Sequence, residues 1–179
     1  MSFIKISNYL DNYIRTADIQ QSYQACNWPA QFMMQTGVSN RSGLATYYSD
    51  GAMAMKEWGG GILPPAVNNI ANGLPSQNIR LVRLADFLIN EVKKRTLPKA
   101  PKGQGPPRVL MKMDIEGSEI DVLPDILFNG GLGAINGLMI EFHSRLEKIP
   151  ERKKAHQQVM IPLQNSCSLS KTFDLKQEN

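Results

Sequence analysis

The segment Lys112-Met113-Asp114-Ile115-Glu116-Gly117-Ser118-Glu119 holds the densest reactive chemistry in the chain. Asp is poor strand chemistry at the end of an apolar run, so Asp114 and Glu116 read as functional, while Glu119 reads as a helix-start residue favoured by the positive end of the helix dipole. Gly117 lets the backbone turn tightly, and Ser118 or Glu119 could satisfy free amides of the helix that follows. Lys112, inside the strand, needs a partner, and one of these acids is the simplest. A second group, Glu141-Phe142-His143, sets a carboxylate and an imidazole one pleat repeat apart. If the two strands are neighbours, Asp114, Glu116, Glu141 and His143 share one crevice. Such crowding either raises a carboxylate pKa for acid–base work or binds a hard cation, and the spacing leaves both open.

The elements that must position these groups are legible from periodicity. Val109 to Met113 is a short apolar run, and Ile120, Leu123, Ile126 and Leu127 then fall on one helical face. Pro124 either kinks that helix or opens a second one, and Gly130-Gly131 ends it. Ile135 to Phe142 predicts a strand buried on both faces. Upstream, Asn78 to Arg83 alternates like a strand, Leu84, Phe87, Leu88 and Val92 recur at helical spacing, and a basic, proline-rich linker runs from Lys93 to Pro107. This alternation predicts the α/β class, with a parallel sheet and ligands beyond the carboxyl ends of its strands.

Other segments carry weaker signals. Met1 to Ala25 reads as one or two weak amphipathic helices. Phe32 to Val38 and Leu44 to Tyr48 read as a hairpin across Asn40-Arg41-Ser42-Gly43. Gly51 to Ser76 reads as a long irregular loop, and Pro150 as the start of a helix over Glu151 to Val159. The expected organisation is one domain over residues 1–165 and a loose tail over 166–179.

At 179 residues and 42% hydrophobic, the chain is large enough to bury a core without disulfides. Cys26 and Cys167 form no Cys-x-x-Cys pair, which argues against a structural zinc site, and no metal ligand set is assigned. The net charge of +4 permits anionic partners. Its basic clusters lack interleaved aromatic rings, so solvated helix or linker faces are expected and nucleic acid is not. No segment has the apolar length of a membrane span or a signal peptide, and a cytoplasmic location is expected.

At these residues the chain resembles the FkbM family of S-adenosylmethionine-dependent methyltransferases. The resemblance rests on a Lys-x-Asp-x-Glu-Gly-x-Glu turn (Lys112, Asp114, Glu116, Gly117, Glu119) followed by Val122 to Pro124, and on an apolar strand ending at Glu141 and His143. It extends to Gly37 through Tyr48 and to Leu81 through Leu88, with Asp86 at an acidic position. It implies a Rossmann-like class I methyltransferase sheet with an antiparallel hairpin and helices on both faces. It also implies S-adenosylmethionine as cofactor, O-methyl transfer to a small-molecule or sugar hydroxyl, and catalytic Asp114, Glu116, Glu141 and His143. An acid or the imidazole would take the acceptor's proton, and Gly37, Val38, Ser39 and Asp114 would lie on the cofactor side.

The family's cofactor site begins with a strand and a glycine-rich turn, yet no glycine precedes Gly37 and Gly59-Gly60-Gly61 reads as loop. The chain is therefore expected to be an N-terminally truncated, inactive or incomplete methyltransferase. Two alternatives stand beside it: a non-catalytic fragment that binds a partner chain, or itself, through an exposed sheet edge, and a divalent-metal hydrolase using the same four residues.

Overall fold

The computed structural model describes residues 2–7, 33, 36–48, 60–63, 76–96, 99–143, 150–165 and 176–177. They form a mixed α/β structure with two small sheets. One sheet has four parallel strands in the order β1 (Ser2–Ser7), β5 (Val109–Asp114), β6 (Gly137–Phe142) and β7 (Lys176–Gln177). The other has three, with β4 (Ser76–Arg83) between β2 (Thr36–Ser39), to which it is parallel, and β3 (Gly43–Tyr48), to which it is antiparallel. The helices are α1 (Leu84–Phe87), which runs on as a π-helical turn over Leu88–Val92, then α2 (Glu119–Phe128), a 3₁₀ turn over Gly131–Ala134, and α3 (Pro150–Asn165).

Strand β5 is central because its sequence suits both of its surfaces. Val109, Met111 and Met113 are buried on one face, where they join Leu84, Leu88, Leu123 and Ile126 from the helices and Leu138 and Ile140 from β6. The opposite face carries Leu110 and Lys112, both half-buried, and then Asp114. A polar side chain can therefore stand at the strand's carboxyl end without interrupting the apolar layer. The second sheet has a smaller core of Tyr47, Ile79 and Leu81. Arg83 at the end of β4 joins it to the helical layer, donating to both carboxylate oxygens of Asp125 on α2 at 3.0 and 2.6 Å.

Several elements differ from expectation. Ser2–Ser7 is a strand and not a weak helix, paired in register with all of β5 from Ser2 against Val109 to Ser7 against Asp114. The hexapeptide alternates Ile4 and Ile6 with Lys5 and Ser7, a two-residue period that the edge of β5 rewards with ladder hydrogen bonds. The rest of the predicted helical stretch lies outside the described residues. The expected hairpin is absent: β2 and β3 do not pair with one another, because β4 lies between them and bonds to both. Gly37 makes that arrangement possible, since a Cβ there would lie 2.7 Å from Ile79 Cδ1 on β4.

Pro124 sits inside one continuous helix and opens no second one. Helix α3 runs to Asn165, past the predicted Val159. Within the segment read as a loose tail, Lys176 and Gln177 pair with Glu141 and Phe142 of β6. Of the long loop predicted over Gly51 to Ser76, Gly60 to Leu63 are described, and Gly61 exchanges backbone hydrogen bonds with Tyr48 at 2.8 and 3.0 Å. The remainder lies outside the described residues, apart from Ser76, which opens β4. No helix among the described residues is long and apolar enough to cross a membrane.

Candidate functional site

The parallel pairing of β5 and β6 brings the two acidic motifs together. Their register runs to Met113 against Ile140, so Asp114 and the Glu141-Phe142-His143 segment emerge side by side at the carboxyl edge of the sheet. Beyond Asp114 the chain reverses through two residues in the left-handed region, Glu116 at φ +53° and Gly117 at φ +91°. Glycine adopts that geometry freely, whereas a glutamate there is strained by about 1 to 3 kcal/mol unless its surroundings hold it. Here the surroundings do, because Glu116 is buried and its Oε1 lies 3.3 Å from His143 Nε2.

Asp114, Glu116, Glu119 and His143 are all less than 9% exposed. His143 Nε2 faces Asp114 Oδ1 at 3.8 Å, and Nδ1 faces Glu119 Oε1 at 3.2 Å. The latter is ion-pair distance without hydrogen-bond alignment. Glu119 Oε1 also accepts the backbone N–H of Ile115 at 2.9 Å, so one carboxylate oxygen anchors both the turn and the imidazole. Lys112 Nζ bridges Asp114 Oδ2 at 3.1 Å and Glu141 Oε2 at 3.2 Å, the partnership its place in the strand demands. Asp114 Oδ1 is buried and has no hydrogen-bond partner among the described residues.

These contacts set the protonation states. Burial by itself would lower the pKa of His143, but contact with Glu116 and Glu119 outweighs it and pushes the imidazole up to about 10. Burial raises the carboxyl of Asp114 above the ordinary aspartate value, and the Lys112 ammonium offsets only part of that. Burial opposes the charge on Lys112, yet Asp114 and Glu141 hold its pKa above the usual lysine value. At neutral pH the imidazole is therefore a cation that donates, and the group suited to accept a proton is Asp114.

The predicted residues thus fall into two sets. Asp114, Glu116 and His143 converge, with one ligand-type atom from each lying within 4.8 Å of the others, while Glu141 joins them through Lys112. Gly37, Val38 and Ser39 lie on β2 in the other sheet. There Gly37 is enclosed by Ile79, Leu81 and Ile62, Val38 packs on the main core, and the buried Ser39 donates to Asn40 Oδ1 at 3.3 Å.

Two contributors escape sequence reasoning. Glu119 does begin α2 as expected, but its carboxylate turns back into the cluster, and the Ser118 hydroxyl makes no capping bond. Its position five residues beyond Asp114, across a glycine turn, was the available signal. Arg152, expected on a solvated basic face, donates from Nη2 to the Gly117 carbonyl at 2.7 Å and faces Asp121 Oδ2 at 3.3 Å, so α3 braces the acidic turn. Nothing in the local sequence marks Arg152 from its basic neighbours. No family model, curated protein or solved structure matches the chain.

Proposed function

We propose that the chain is an S-adenosylmethionine-dependent methyltransferase of FkbM type, acting on a hydroxyl group, with the Asp114 cluster on its acceptor side. The observation that carries the reading is Asp114 Oδ1, a buried carboxylate oxygen with no hydrogen-bond partner among the described residues, at the carboxyl edge of two adjacent parallel strands. An acceptor hydroxyl that reached this atom would give up its proton to it on methyl transfer, the electrons of the broken carbon–sulfur bond remaining on the cofactor's sulfur, and Lys112 on Oδ2 would keep the carboxylate oriented. The protonated His143 offers positive charge beside the oxygen that becomes anionic.

The cofactor supplies an electrophilic methyl group on a cationic sulfur, and a buried carboxylate cluster suits a positive charge. Strand β1 is hydrogen-bonded along β5 and ends opposite Asp114. The sequence after it, Asn8-Tyr9-Leu10-Asp11, has no glycine to admit a nucleoside against the backbone. The donor set therefore supports the acceptor side, and the assignment of Gly37 and Ser39 to the cofactor has no such support.

Isothermal titration of the full chain with S-adenosylhomocysteine, in the presence of a chelator, tests the reading. Micromolar binding that Asp114→Ala weakens at least tenfold supports it. A folded chain that gives no heat at millimolar ligand removes it.

A further inference from the structure

Asp114, Glu116 and His143 also bring one ligand-type atom each to within 4.8 Å of the others. We infer that Asp114 Oδ1, Glu116 Oε1 and His143 Nε2 form a binding site for one divalent first-row transition cation, with Glu119 as the carboxylate that orients the histidine. This goes beyond methyl transfer and does not depend on it.

The geometry suits an ion. Nε2 lies 3.3 Å from Glu116 Oε1 and 3.8 Å from Asp114 Oδ1. With metal–ligand bonds of about 2.1 Å, the 3.3 Å separation subtends roughly 100° at the metal, between the tetrahedral and octahedral values, and the 3.8 Å separation roughly 130°, so Asp114 Oδ1 would move in by about 0.4 Å on binding. The atoms come from two backbone segments, Asp114 and Glu116 from the end of β5 and its left-handed turn and His143 from the residue after β6, so the imidazole meets the two carboxylates from the neighbouring strand.

Two further observations point to a ligand. Asp114 Oδ1 is buried with no hydrogen-bond partner among the described residues, although its twin Oδ2 is held by Lys112. A metal ion would meet that unmet demand. The other ring nitrogen of His143 faces Glu119 Oε1 at 3.2 Å, and Glu119 is fixed by the Ile115 amide. With Nδ1 facing that carboxylate at ion-pair distance, Nε2 points at Asp114 and Glu116, and a small rotation would complete the carboxylate–histidine pairing that orients a metal-binding histidine. Lys112 Nζ pairs with Asp114 and Glu141 while Glu116 and Glu119 face the imidazole, so the crevice is short of positive charge when the imidazole serves as a ligand.

The donor types choose the ion. Two carboxylate oxygens alone would suit magnesium or calcium, but a nitrogen donor shifts preference toward manganese, iron, cobalt or zinc. Three protein ligands leave positions for water or for two oxygens of a bound molecule.

Manganese(II) is the probe, because its electron paramagnetic resonance signal separates free from bound ion without any nucleoside or turnover. The full chain at pH 8, with no S-adenosyl compound, is expected to take up one manganese per chain, the ion displacing the Nε2 proton of His143 to solvent. Asp114→Asn and Glu116→Gln are expected to weaken binding at least tenfold, and Glu119→Gln by about tenfold. Asp86→Asn, an exposed carboxylate outside the cluster, leaves binding unchanged. Circular dichroism identifies variants that fail to fold. For those, electron spin echo modulation of the manganese-loaded parent chain replaces them, where coupling to one imidazole nitrogen is expected.

The inference is overturned if the folded chain leaves the free signal undiminished at millimolar manganese. It is equally overturned if the bound ion shows no nitrogen coupling, or if folded Asp114→Asn and Glu116→Gln both bind as tightly as the parent. The titration with S-adenosylhomocysteine contains chelator, so the failure of either reading leaves the other standing.

Discussion

Glu119 Oε1 lies 2.9 Å from the Ile115 amide and 3.2 Å from His143 Nδ1, so a single oxygen fixes the turn after β5 and orients the imidazole at the end of β6. The two strands are joined beyond their last ladder bond by a side chain from the helix that follows the first of them. This makes the acidic turn a structural part of the sheet edge as well as a source of carboxylates.

Glu119→Gln separates those duties. The amide oxygen can still accept from Ile115, but the negative charge that holds the imidazole protonated is lost. The expected result is a fall in the His143 pKa from about 10, with a stability loss of about 1 to 3 kcal/mol for weakening a buried charged contact. Glu119→Ala loses the amide's acceptor as well and should cost more. Proton NMR titration of the imidazole and urea unfolding measure both. A His143 pKa unchanged in Glu119→Gln would leave Glu116 as the group that sets it.

The same histidine gives the fold a pH dependence of definite sign. His143 titrates near 6.5 when unfolded and about 10 when folded, so the folded state binds its proton more tightly. Its contribution is complete below about pH 6.5 and disappears as pH rises through 10, stability falling across that window. Glu116, Glu119 and Asp114 are the charged groups that face it. Asp114 acts with the same sign at lower pH: its raised carboxyl favours the folded state while protonated, and that contribution is lost as pH rises past the ordinary aspartate value. Unfolding midpoints at pH 6, 8 and 10 should fall steadily, and His143→Asn should flatten the slope above pH 6.5. A midpoint that rises between pH 7 and 10 would contradict the cluster.

How much of this was open to the sequence depends on whether a signal was local. Asp114, Glu116 and His143 could be found because each ends or follows an apolar run, and parallel strands bring their carboxyl ends together whatever lies between them. The pairing of Lys112 with Asp114 followed from the cost of a lone ammonium in a strand, whereas its second partner, Glu141, comes from the neighbouring strand and had no local signal. Strand β1 was hidden because its two-residue period is only six residues long, and its conformation depends on the edge of β5, more than a hundred residues away. The β2–β3 hairpin was misread for a related reason. Turn chemistry at Asn40 to Gly43 is local, whereas the insertion of β4 between them is decided by the contact of Ile79 and Leu81 with Gly37. Arg152 reaches Gly117 across 35 residues and no spacing rule spans that distance.

Gly37→Ala tests whether that glycine serves packing. An added methyl would stand 2.7 Å from Ile79 Cδ1 and 3.1 Å from Leu81 Cδ2, both in the small core of the second sheet. Overpacking of this kind costs about 1 to 3 kcal/mol. The expected outcome is a lowered melting temperature with the pKa of His143 unchanged, since Gly37 belongs to a different sheet. A double variant with Ile79→Val, which removes the Cδ1 methyl, should recover part of the loss. Full stability in Gly37→Ala alone would show that β2 can move away from β4 at no cost.

Arg152→Met addresses the brace between α3 and the acidic turn. The Nη2 bond to the Gly117 carbonyl is a charge-assisted contact at 2.7 Å, and Gly117 is one of the two left-handed residues that aim Glu116 at His143. Removing it leaves the carbonyl to find water and frees the turn to relax the strained φ of Glu116. The expected stability loss is about 1.5 to 3 kcal/mol, together with a lower His143 pKa as Glu116 draws away. Arg152→Lys should recover part of both, because an ammonium can still donate to the carbonyl but sits on a shorter side chain without the planar guanidinium whose Nη2 serves both Gly117 and Asp121. NMR titration of His143 in the two variants separates a brace from a mere surface contact: a stability loss with the imidazole pKa unmoved would mean that Gly117 keeps its geometry without help from α3.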